Sequence, residues 1–144
     1  MRINDILGRK GRSVVTMRGD ATVRELLEQL ATHGIGAVVI LDSSDRLVGI
    51  ASERDIVQHV HRSPAGALEA TVSAIMTTEP ITCGPDDEVE ALARTMTEHR
   101  IRHLPVVADG QLAGIVSIGD VVKQRLDQLQ HERDQLVSYV QQGG

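Results

Sequence analysis

The stretch Gly114-Ile115-Val116-Ser117-Ile118-Gly119-Asp120 decides the fold, because the chain contains its pattern twice. The twin is Gly49-Ile50-Ala51-Ser52-Glu53-Arg54-Asp55, and Gly, Ile, Ser and Asp hold the same positions in both. An apolar run precedes each Ser and an apolar pair follows each Asp. Each copy therefore predicts a strand that turns sharply into a helix. The chain is predicted to be a duplication.

The elements around the two turns follow the same order. In the first copy, apolar spacing predicts a helix over 23–30 that Asp20 and Thr22 cap and His33-Gly34 ends. The apolar run 35–41 predicts a buried strand, and 46–51 predicts the strand that returns to Ser52. In the second copy the same pattern recurs 66 positions later (Asp86 against Asp20), through Val89, Leu92, Met96 and His99. Neither unit can cover its own sheet, so the copies are predicted to pack together.

The repeat predicts the domain boundaries. We assign residues 1–62 to the first repeat with an N-terminal lead-in helix, 63–71 to a flexible linker, and 72–126 to the second repeat. The second repeat also opens with a lead-in, at 73–76. Residues 127–144 are assigned to an extension of the last helix, which is predicted to run from Ser117 to about Tyr139.

The predicted C-terminal helix carries an apolar stripe that the first repeat lacks. Its members are spaced alternately by three and four residues, with Arg133 filling the one gap: Val122, Leu126, Leu129, Leu136 and Val140. Such a stripe packs on its own domain or on a twin subunit.

Composition excludes several classes of protein. The net charge of −5 argues against a nucleic-acid binder. The single cysteine, Cys83, excludes an internal disulfide and a cysteine-rich zinc site. His99 and His103 are four apart, but no third ligand is placed to complete a metal site. No signal segment or membrane-length apolar run is evident, which predicts a cytoplasmic protein with no membrane partner. No nucleophile and matching base stand out, so no enzyme activity is predicted.

The Ser-x-x-Asp turn has two interpretations. It is close to a capping box, in which Ser and Asp satisfy backbone N–H groups at the start of a helix. Alternatively, the helix N-terminus and the Ser hydroxyl offer hydrogen bonds to a phosphate, while Asp accepts from ribose hydroxyls. Gly119 removes a side chain where a ligand could approach the backbone. A nucleotide would satisfy both groups.

The two turns, together with Arg102-His103-Leu104-Pro105-Val106-Val107 before the second, resemble tandem cystathionine-beta-synthase (CBS) domains, a pair called a Bateman module. The resemblance extends from about Ile3 to Leu126. It implies an α/β fold (α+β in strict usage) of two pseudo-symmetric β-α-β-β-α repeats that pack through their sheets. The long C-terminal helix is an addition to that pair. Because Bateman modules commonly pair into a disc-like dimer, which a long final helix could clasp, the resemblance leads us to predict a homodimer.

The resemblance also implies a ligand and the residues that hold it. Adenine nucleotides (AMP, ADP or ATP, or else NAD or S-adenosylmethionine) would bind in the clefts as regulatory ligands, with no cofactor required. The implied ligand-binding residues are Ser52 and Asp55 in the first turn, Ser117, Gly119 and Asp120 in the second, and Arg102, His103 and Pro105 at the strand entry. Val15 and Thr16 in one repeat, and Ile81 and Thr82 in the other, would form the first strand of the repeat and lie beside the adenine.

The first repeat departs from the family pattern. Val39 stands in place of Pro105, and Gly36-Ala37 stand in place of Arg102-His103. The first cleft would lack that basic pair, with Arg54 as its available substitute. The two clefts are therefore expected to differ in affinity, or only one is expected to fill.

Two functions follow as hypotheses. The first is a stand-alone nucleotide sensor, which signals to a downstream protein partner by a change in shape or in partner affinity. The second is a structural or stress-response homodimer with empty clefts, in which both Ser-x-x-Asp turns act only as caps.

Overall fold

Two β-hairpins, each followed by a helix, form the framework of the chain. The computed structural model describes residues 1–143. Its elements are α1 (Ile3–Lys10), β1 (Thr16–Arg18), α2 (Val23–His33), β2 (Ala37–Leu41), β3 (Leu47–Ser52), α3 (Glu53–Arg62), a 3-10 turn (Ala67–Glu69), α4 (Val72–Ile75), β4 (Thr77–Thr78), α5 (Val89–His99), β5 (His103–Ala108), β6 (Gln111–Ser117) and α6 (Ile118–Gly143). The predicted mixed architecture with a long C-terminal helix is confirmed. Gly144, the last residue of the predicted extension, lies outside the described residues.

Hairpin register fixes where the two turns lie. In the first hairpin Ala37 is opposite Ser52, and in the second His103 is opposite Ser117. Both serines therefore end a strand beside the first residue of its neighbour, and a helix begins at the next residue. The first repeat's helix α2 ends at Gly34 in the left-handed conformation, with φ of 61°. This confirms the predicted stop at His33-Gly34.

The two sheets are not equal. The first has four strands in the order β1-β2-β3-β4, whereas the second has only β5 and β6. Ile81 and Thr82 were expected to form a first strand of the second repeat, and that expectation is wrong. Only Cys83 bridges to Val106, through bonds of 3.0 Å from its N–H to Pro105 and 2.8 Å from Val107 to its carbonyl. The next bonds of this parallel ladder would need an N–H from Pro85 to the Val107 carbonyl and from Pro105 to the Ile81 carbonyl, and proline has none, so the bridge is not extended on either side.

The lead-in segments cross over between the repeats. Helix α1 was assigned to the first repeat, but Ile3, Ile6 and Leu7 are buried in the core of the second. That core also contains Cys83, Val89, Leu92, Met96, Leu104, Val106, Val116 and Val121. In return, Val72 of α4 is buried in the core of the first repeat with Val23, Leu26, Leu30, Val38, Ile40, Ala51 and Ile56. Strand β4 then joins β3 of the first sheet.

The glycine of each repeated motif marks where a lead-in crosses. A Cβ at Gly49 would lie 2.6 Å from the Met76 sulfur and 2.9 Å from the carbonyl oxygen of Thr77. A Cβ at Gly114 would lie 2.7 Å from a methyl group of Leu7. Both contacts are closer than a real Cβ tolerates. The duplicated glycine is therefore required by the crossing of the lead-ins.

The predicted linker is packed against the first repeat. Ala67 is buried, and its carbonyl lies 3.2 Å from the Nε2 atom of His59. Glu69 accepts a 2.6 Å bond from Arg24 on α2. The segment after Pro64 is therefore anchored, contrary to the flexible linker expected from its composition.

No helix within residues 1–143 has the length and apolar character that crossing a membrane requires.

Candidate functional site

Both Ser-x-x-Asp turns form caps at the start of a helix. In the first, Asp55 Oδ2 accepts from the Ser52 N–H at 2.9 Å, and the Asp55 N–H donates to Ser52 Oγ at 3.3 Å. In the second, the equivalent bonds of Asp120 and Ser117 are 2.8 and 3.2 Å. The capping interpretation is confirmed for both turns. It does not exclude a ligand, because the first turn of a helix leaves further N–H groups without intrahelical partners.

The second turn receives a cation from the N-terminal helix. Lys10, at the end of α1, places its ammonium 2.6 Å from Asp120 Oδ2 and 3.0 Å from the carbonyl oxygen of Ile115. Both partners of this ion pair are partly shielded from solvent. Both bonds to the Asp120 carboxylate are made to Oδ2, and within residues 1–143 no hydrogen bond reaches Oδ1. The second carboxylate oxygen is therefore available to a ligand hydroxyl.

His103 brings the two repeats together at this turn. Its strand neighbour is Ser117, and its imidazole packs against Gly36 of the first repeat. A Cβ at Gly36 would lie 3.1 Å from His103 Cε1 and 3.7 Å from a Glu53 carboxylate oxygen. This explains why a glycine replaces the basic residue at this position of the first repeat. We call Lys10, Glu53, His103, Ser117 and Asp120 the junction cluster.

The charges of the junction cluster shift two pKa values. Burial has the largest effect and lowers the pKa of His103. The carboxylate of Glu53 raises this pKa, and the ammonium of Lys10 lowers it. Asp120 raises the pKa of His103 and Arg102 lowers it, both to smaller extents. Burial by itself would raise the pKa of Asp120, but the bonds from Lys10 and from the Ser117 N–H hold it below its usual value. The cluster therefore favours a neutral imidazole beside a carboxylate that stays ionised.

The pKa of His103 predicts how stability changes with pH. Because the folded pKa lies below the unfolded value of about 6.5, the unfolded state binds more protons between the two values. The free energy of unfolding should thus fall as pH drops from 7.5 toward 5, with a contribution of at most about 1.4 kcal/mol per pH unit from one group. Urea unfolding across this range should show a shallower pH dependence in His103→Gln. The exposed His61→Gln serves as the control, and equal slopes in both variants would contradict the assignment.

The two turns differ in the charge that the crossing lead-ins bring to them. Leu7 and Met76 occupy equivalent places against Gly114 and Gly49. Lys10 lies three residues after Leu7, and the residue three after Met76 is Glu79. Lys10 thus reaches the second turn, whereas Glu79 follows β4, whose pairing of Thr77 with Ile50 and Thr78 with Gly49 carries the chain away from Ser52. This difference supports unequal clefts, with the second better suited to an anion.

Gly119 has no structural role that the geometry reveals. A Cβ there would meet only Ser117 Oγ, at an ordinary distance of 3.6 Å. Its backbone is exposed at the start of α6. A residue without a side chain at this point leaves the helix N-terminus open to a ligand.

The remaining predicted residues are divided between this turn and other places. Arg102 is exposed, and its carbonyl accepts from Ile118 at 2.8 Å. Pro105 is buried opposite Ile115. Arg54 was expected to act in the first cleft, but its Nη1 atom lies 3.5 Å from the carbonyl oxygen of Arg100 in the second repeat. Thr16 begins strand β1 beside Val39, and the carbonyl of Val15 accepts from Val39 at 3.3 Å.

Ile81 and Thr82 line a groove of about 260 Å³ with residues of α5 and with Leu104. Neither Ser117 nor Asp120 lines this groove. The expected contact of Ile81 and Thr82 with an adenine stays a prediction. Within residues 1–143 there is no group of three or more side chains suited to hold a metal ion.

Sequence reasoning missed Lys10 and Glu53 as members of the site. Glu53 lies inside the repeated motif, but nothing in the motif shows that it faces the other repeat. Lys10 and Asp120 are 110 residues apart in the sequence. The available signal was a basic residue in the last turn of the lead-in helix, which a helix dipole also explains.

Three comparisons with known proteins agree on the family. A sequence model of the CBS domain matches residues 5–62 and 72–127. A mitochondrial CBS domain-containing protein of Arabidopsis thaliana is 33% identical over 149 residues, covering 98% of this chain and 72% of that protein. The crystal structure of a CBS-domain containing protein from Agrobacterium tumefaciens has a TM-score of 0.84 and 44% identity, covering 86% of this chain and 92% of that one. The CBS domain pair of protein MJ0100, crystallised with 5-methylthioadenosine and S-adenosyl-L-methionine, has a TM-score of 0.78 and 27% identity, covering 89% and 98%.

Proposed function

Because this chain belongs to the CBS-domain family, we propose that it is a regulatory module that binds an adenine nucleotide at the junction cluster. Binding would change the conformation of the module or its affinity for a partner protein. The observation that carries the proposal is the Asp120 carboxylate, which stays ionised and keeps one oxygen free beside Lys10, Ser117 and the N-terminus of α6.

The parts of a nucleotide match this arrangement. Asp120 Oδ1 suits a ribose hydroxyl, because an ionised carboxylate only accepts hydrogen bonds. The α6 N-terminus, Ser117 Oγ and the Lys10 ammonium suit a phosphate. Exposed Arg102 adds a further positive charge at the strand entry. The related domain pair that was crystallised with adenosine-containing ligands supports the choice of an adenine nucleoside.

The cations favour a phosphate-bearing ligand over a cationic one. Lys10 and Arg102 would repel the sulfonium of S-adenosylmethionine, whereas they would attract the phosphates of AMP, ADP or ATP. NAD also carries phosphates and stays within the class. The second cleft is the proposed site, because Lys10 pairs with Asp120 at the second turn, while the ion pairs found within residues 1–143 include none to Asp55 at the first.

Thermal unfolding against a set of ligands tests the proposal. Purified protein would be heated with AMP, ADP, ATP, NAD, S-adenosylmethionine or adenosine, each in large excess. We expect a rise in melting temperature with at least one phosphate-bearing nucleotide and a smaller rise with adenosine or S-adenosylmethionine. The absence of a shift with any nucleotide would contradict the proposal.

A second candidate function is an interaction module with empty clefts, as in a structural or stress-response homodimer. The complete caps at both turns favour it, because they explain Ser52, Asp55, Ser117 and Asp120 without a ligand. This candidate predicts no stabilisation by any nucleotide. It would then direct attention to a protein partner of α6.

Lys10→Gln should weaken the binding of phosphate-bearing nucleotides by about tenfold or more. A hydrogen bond to a charged group contributes about 1.5–3 kcal/mol, and about 1.4 kcal/mol corresponds to tenfold in affinity. Adenosine, which has no phosphate, should bind no more weakly than to the unaltered protein. Isothermal titration calorimetry with AMP and adenosine measures both effects.

The matched control for this prediction is Arg9→Gln. Arg9 is the neighbouring cation on α1, but its guanidinium contacts Gln124 at 2.9 Å on α6 and not Asp120. Equal losses in the two variants would mean that only net charge matters. An equal loss for adenosine in Lys10→Gln would place the role of Lys10 at Asp120 and not at the phosphate.

Further elements of the proposal concern assembly and mechanism. We propose a homodimer, since no other element within residues 1–143 covers the apolar stripe of α6. A downstream protein partner would sense the liganded state, and no catalytic step is assigned to the junction cluster. The cytoplasmic location expected from the sequence stays a prediction, and one relative is mitochondrial.

A further inference from the structure

Helix α6 leaves the body of the protein after its first two turns. Val121 and Gln124 are buried, and every residue from Arg125 to Gly143 is exposed. The last polar contacts with other elements are made by Arg125, 3.0 Å from Glu90, and by Asp127, 3.9 Å from Arg9. Beyond Asp127, the side-chain hydrogen bonds and ion pairs found within residues 1–143 stay inside the helix.

The projecting part of α6 is not expected to be stable as an isolated helix in water. It is little longer than the ~12–15 residues at which an isolated helix is marginal, and it contains few strong helix formers besides Leu and Gln. Its apolar side chains are nevertheless in line. Val122, Leu126, Leu129, Leu136 and Val140 are 49, 61, 51, 65 and 68% exposed. With Arg133 in the gap, we call these six residues the α6 stripe.

We propose that the α6 stripe pairs with the α6 stripe of a second copy of this chain, in antiparallel orientation and centred at the level of His131. In this register Val122 lies opposite Val140 of the second copy, and Leu126 lies opposite Leu136. Leu129 lies opposite Arg133. Apolar residues thus face apolar residues at both ends of the stripe and Arg133 faces Leu129 in the middle, so that the surface is complementary to itself, as a two-fold contact requires.

The position of Arg133 selects the antiparallel arrangement. In a parallel pair in register, the two Arg133 side chains would face each other in the middle of the stripe, where like charges repel. In the antiparallel pair each Arg133 faces Leu129 and lies within one turn of Glu132 of the second copy. Its aliphatic part then covers the leucine while its guanidinium reaches the carboxylate.

This inference rests on the proposed homodimer but not on nucleotide binding. Light scattering after size-exclusion chromatography should give about twice the 15.6 kDa of one chain. Leu136→Glu puts a charge opposite Leu126 and should give the mass of a monomer. Leu129→Glu puts the same charge opposite Arg133 and should leave the dimer intact. Gln135→Glu, outside the stripe, is the control for added charge.

The outcomes separate the alternatives. A monomer mass for the unaltered chain would overturn both this inference and the homodimer. A dimer that survives Leu136→Glu would overturn the role of α6 and leave the homodimer standing. A dimer that Leu129→Glu dissociates would overturn the antiparallel register. Circular dichroism of each variant checks that the fold is kept, since these side chains are exposed and their replacement removes no core contact.

A distance measurement tests the orientation independently. A spin label on Gln141→Cys should be separated from its copy by about 30 Å in the antiparallel pair, at 1.5 Å per residue on both sides of His131. A parallel pair would bring the labels to about 10 Å, the distance between packed helices. Native Cys83 is buried with its pKa raised to about 12, so labelling is confined to the new cysteine.

Discussion

Asp120→Asn is expected to lose half or more of the stabilisation that an adenine nucleotide gives to the unaltered protein. A ligand at one hundred times its dissociation constant raises the apparent free energy of unfolding by about 2.7 kcal/mol, or several degrees in melting temperature. Asparagine keeps the size of the side chain and one oxygen, but it loses the charge and the second acceptor. Affinity should fall about ten- to one hundred-fold. At the same ligand concentration, a hundred-fold loss leaves about 0.4 kcal/mol.

The matched variant for this prediction is Asp55→Asn in the first turn. Asp55 makes the same cap with Ser52, so both variants weaken one helix start in the same way. Only Asp120 is paired with a lysine from the lead-in helix. Calorimetric titration of both variants with the nucleotide that stabilises the protein would identify the occupied cleft. A loss in Asp55→Asn alone would move the site to the first turn.

Leu7→Ala is expected to lower the free energy of unfolding by about 2–5 kcal/mol, the range for removing a buried leucine side chain. Leu7 is 1% exposed in the core of the second repeat, where it lies against Gly114. The loss of its methyl groups would leave a cavity between α1 and β6. Urea unfolding followed by circular dichroism measures the change, and this cost would be a large part of the stability of a domain of this size.

Gly8→Ala is the control for this prediction. Gly8 follows Leu7 on the same helix, but a Cβ there would meet nothing within 4 Å. Alanine should leave stability unchanged or raise it slightly, because glycine costs about 1 kcal/mol inside a helix. A loss below about 1 kcal/mol in Leu7→Ala would mean that the lead-in helix is not docked on the second repeat.

The sequence predicted the repeated parts of the fold well because their signals are local. Thr22 accepts the Glu25 N–H at 3.2 Å as the cap that its position indicated. Ser52 caps α3, which begins where the motif predicted it. Helix α6 runs to Gly143, farther than the expected end near Tyr139, because no glycine or proline lies between Gly119 in its first turn and Gly143. In each case residues within one or two turns determine the structure.

The parts that sequence reasoning did not predict depend on contacts between distant residues. A short apolar lead-in shows that it must be buried, but not which of two similar cores receives it. The contact of His103 with Gly36 likewise became visible only when the two repeats were placed together. The missing strand at Ile81 and Thr82 is different, because Pro85 and Pro105, which lack the N–H groups that would extend it, were visible in the sequence.

The crossing of the lead-ins has a consequence for how the chain is made. Synthesis proceeds from the N-terminus, yet α1 has no docking surface until β6 and the start of α6 have followed it, and the first sheet lacks its fourth strand until Thr77 and Thr78 are made. A growing chain therefore cannot complete its first half before much of the second exists. The closing contacts join residues 105 and 110 positions apart, which favours slow and concerted folding over independent folding of two modules. Neither repeat, cut at the boundary between them, would keep a complete core.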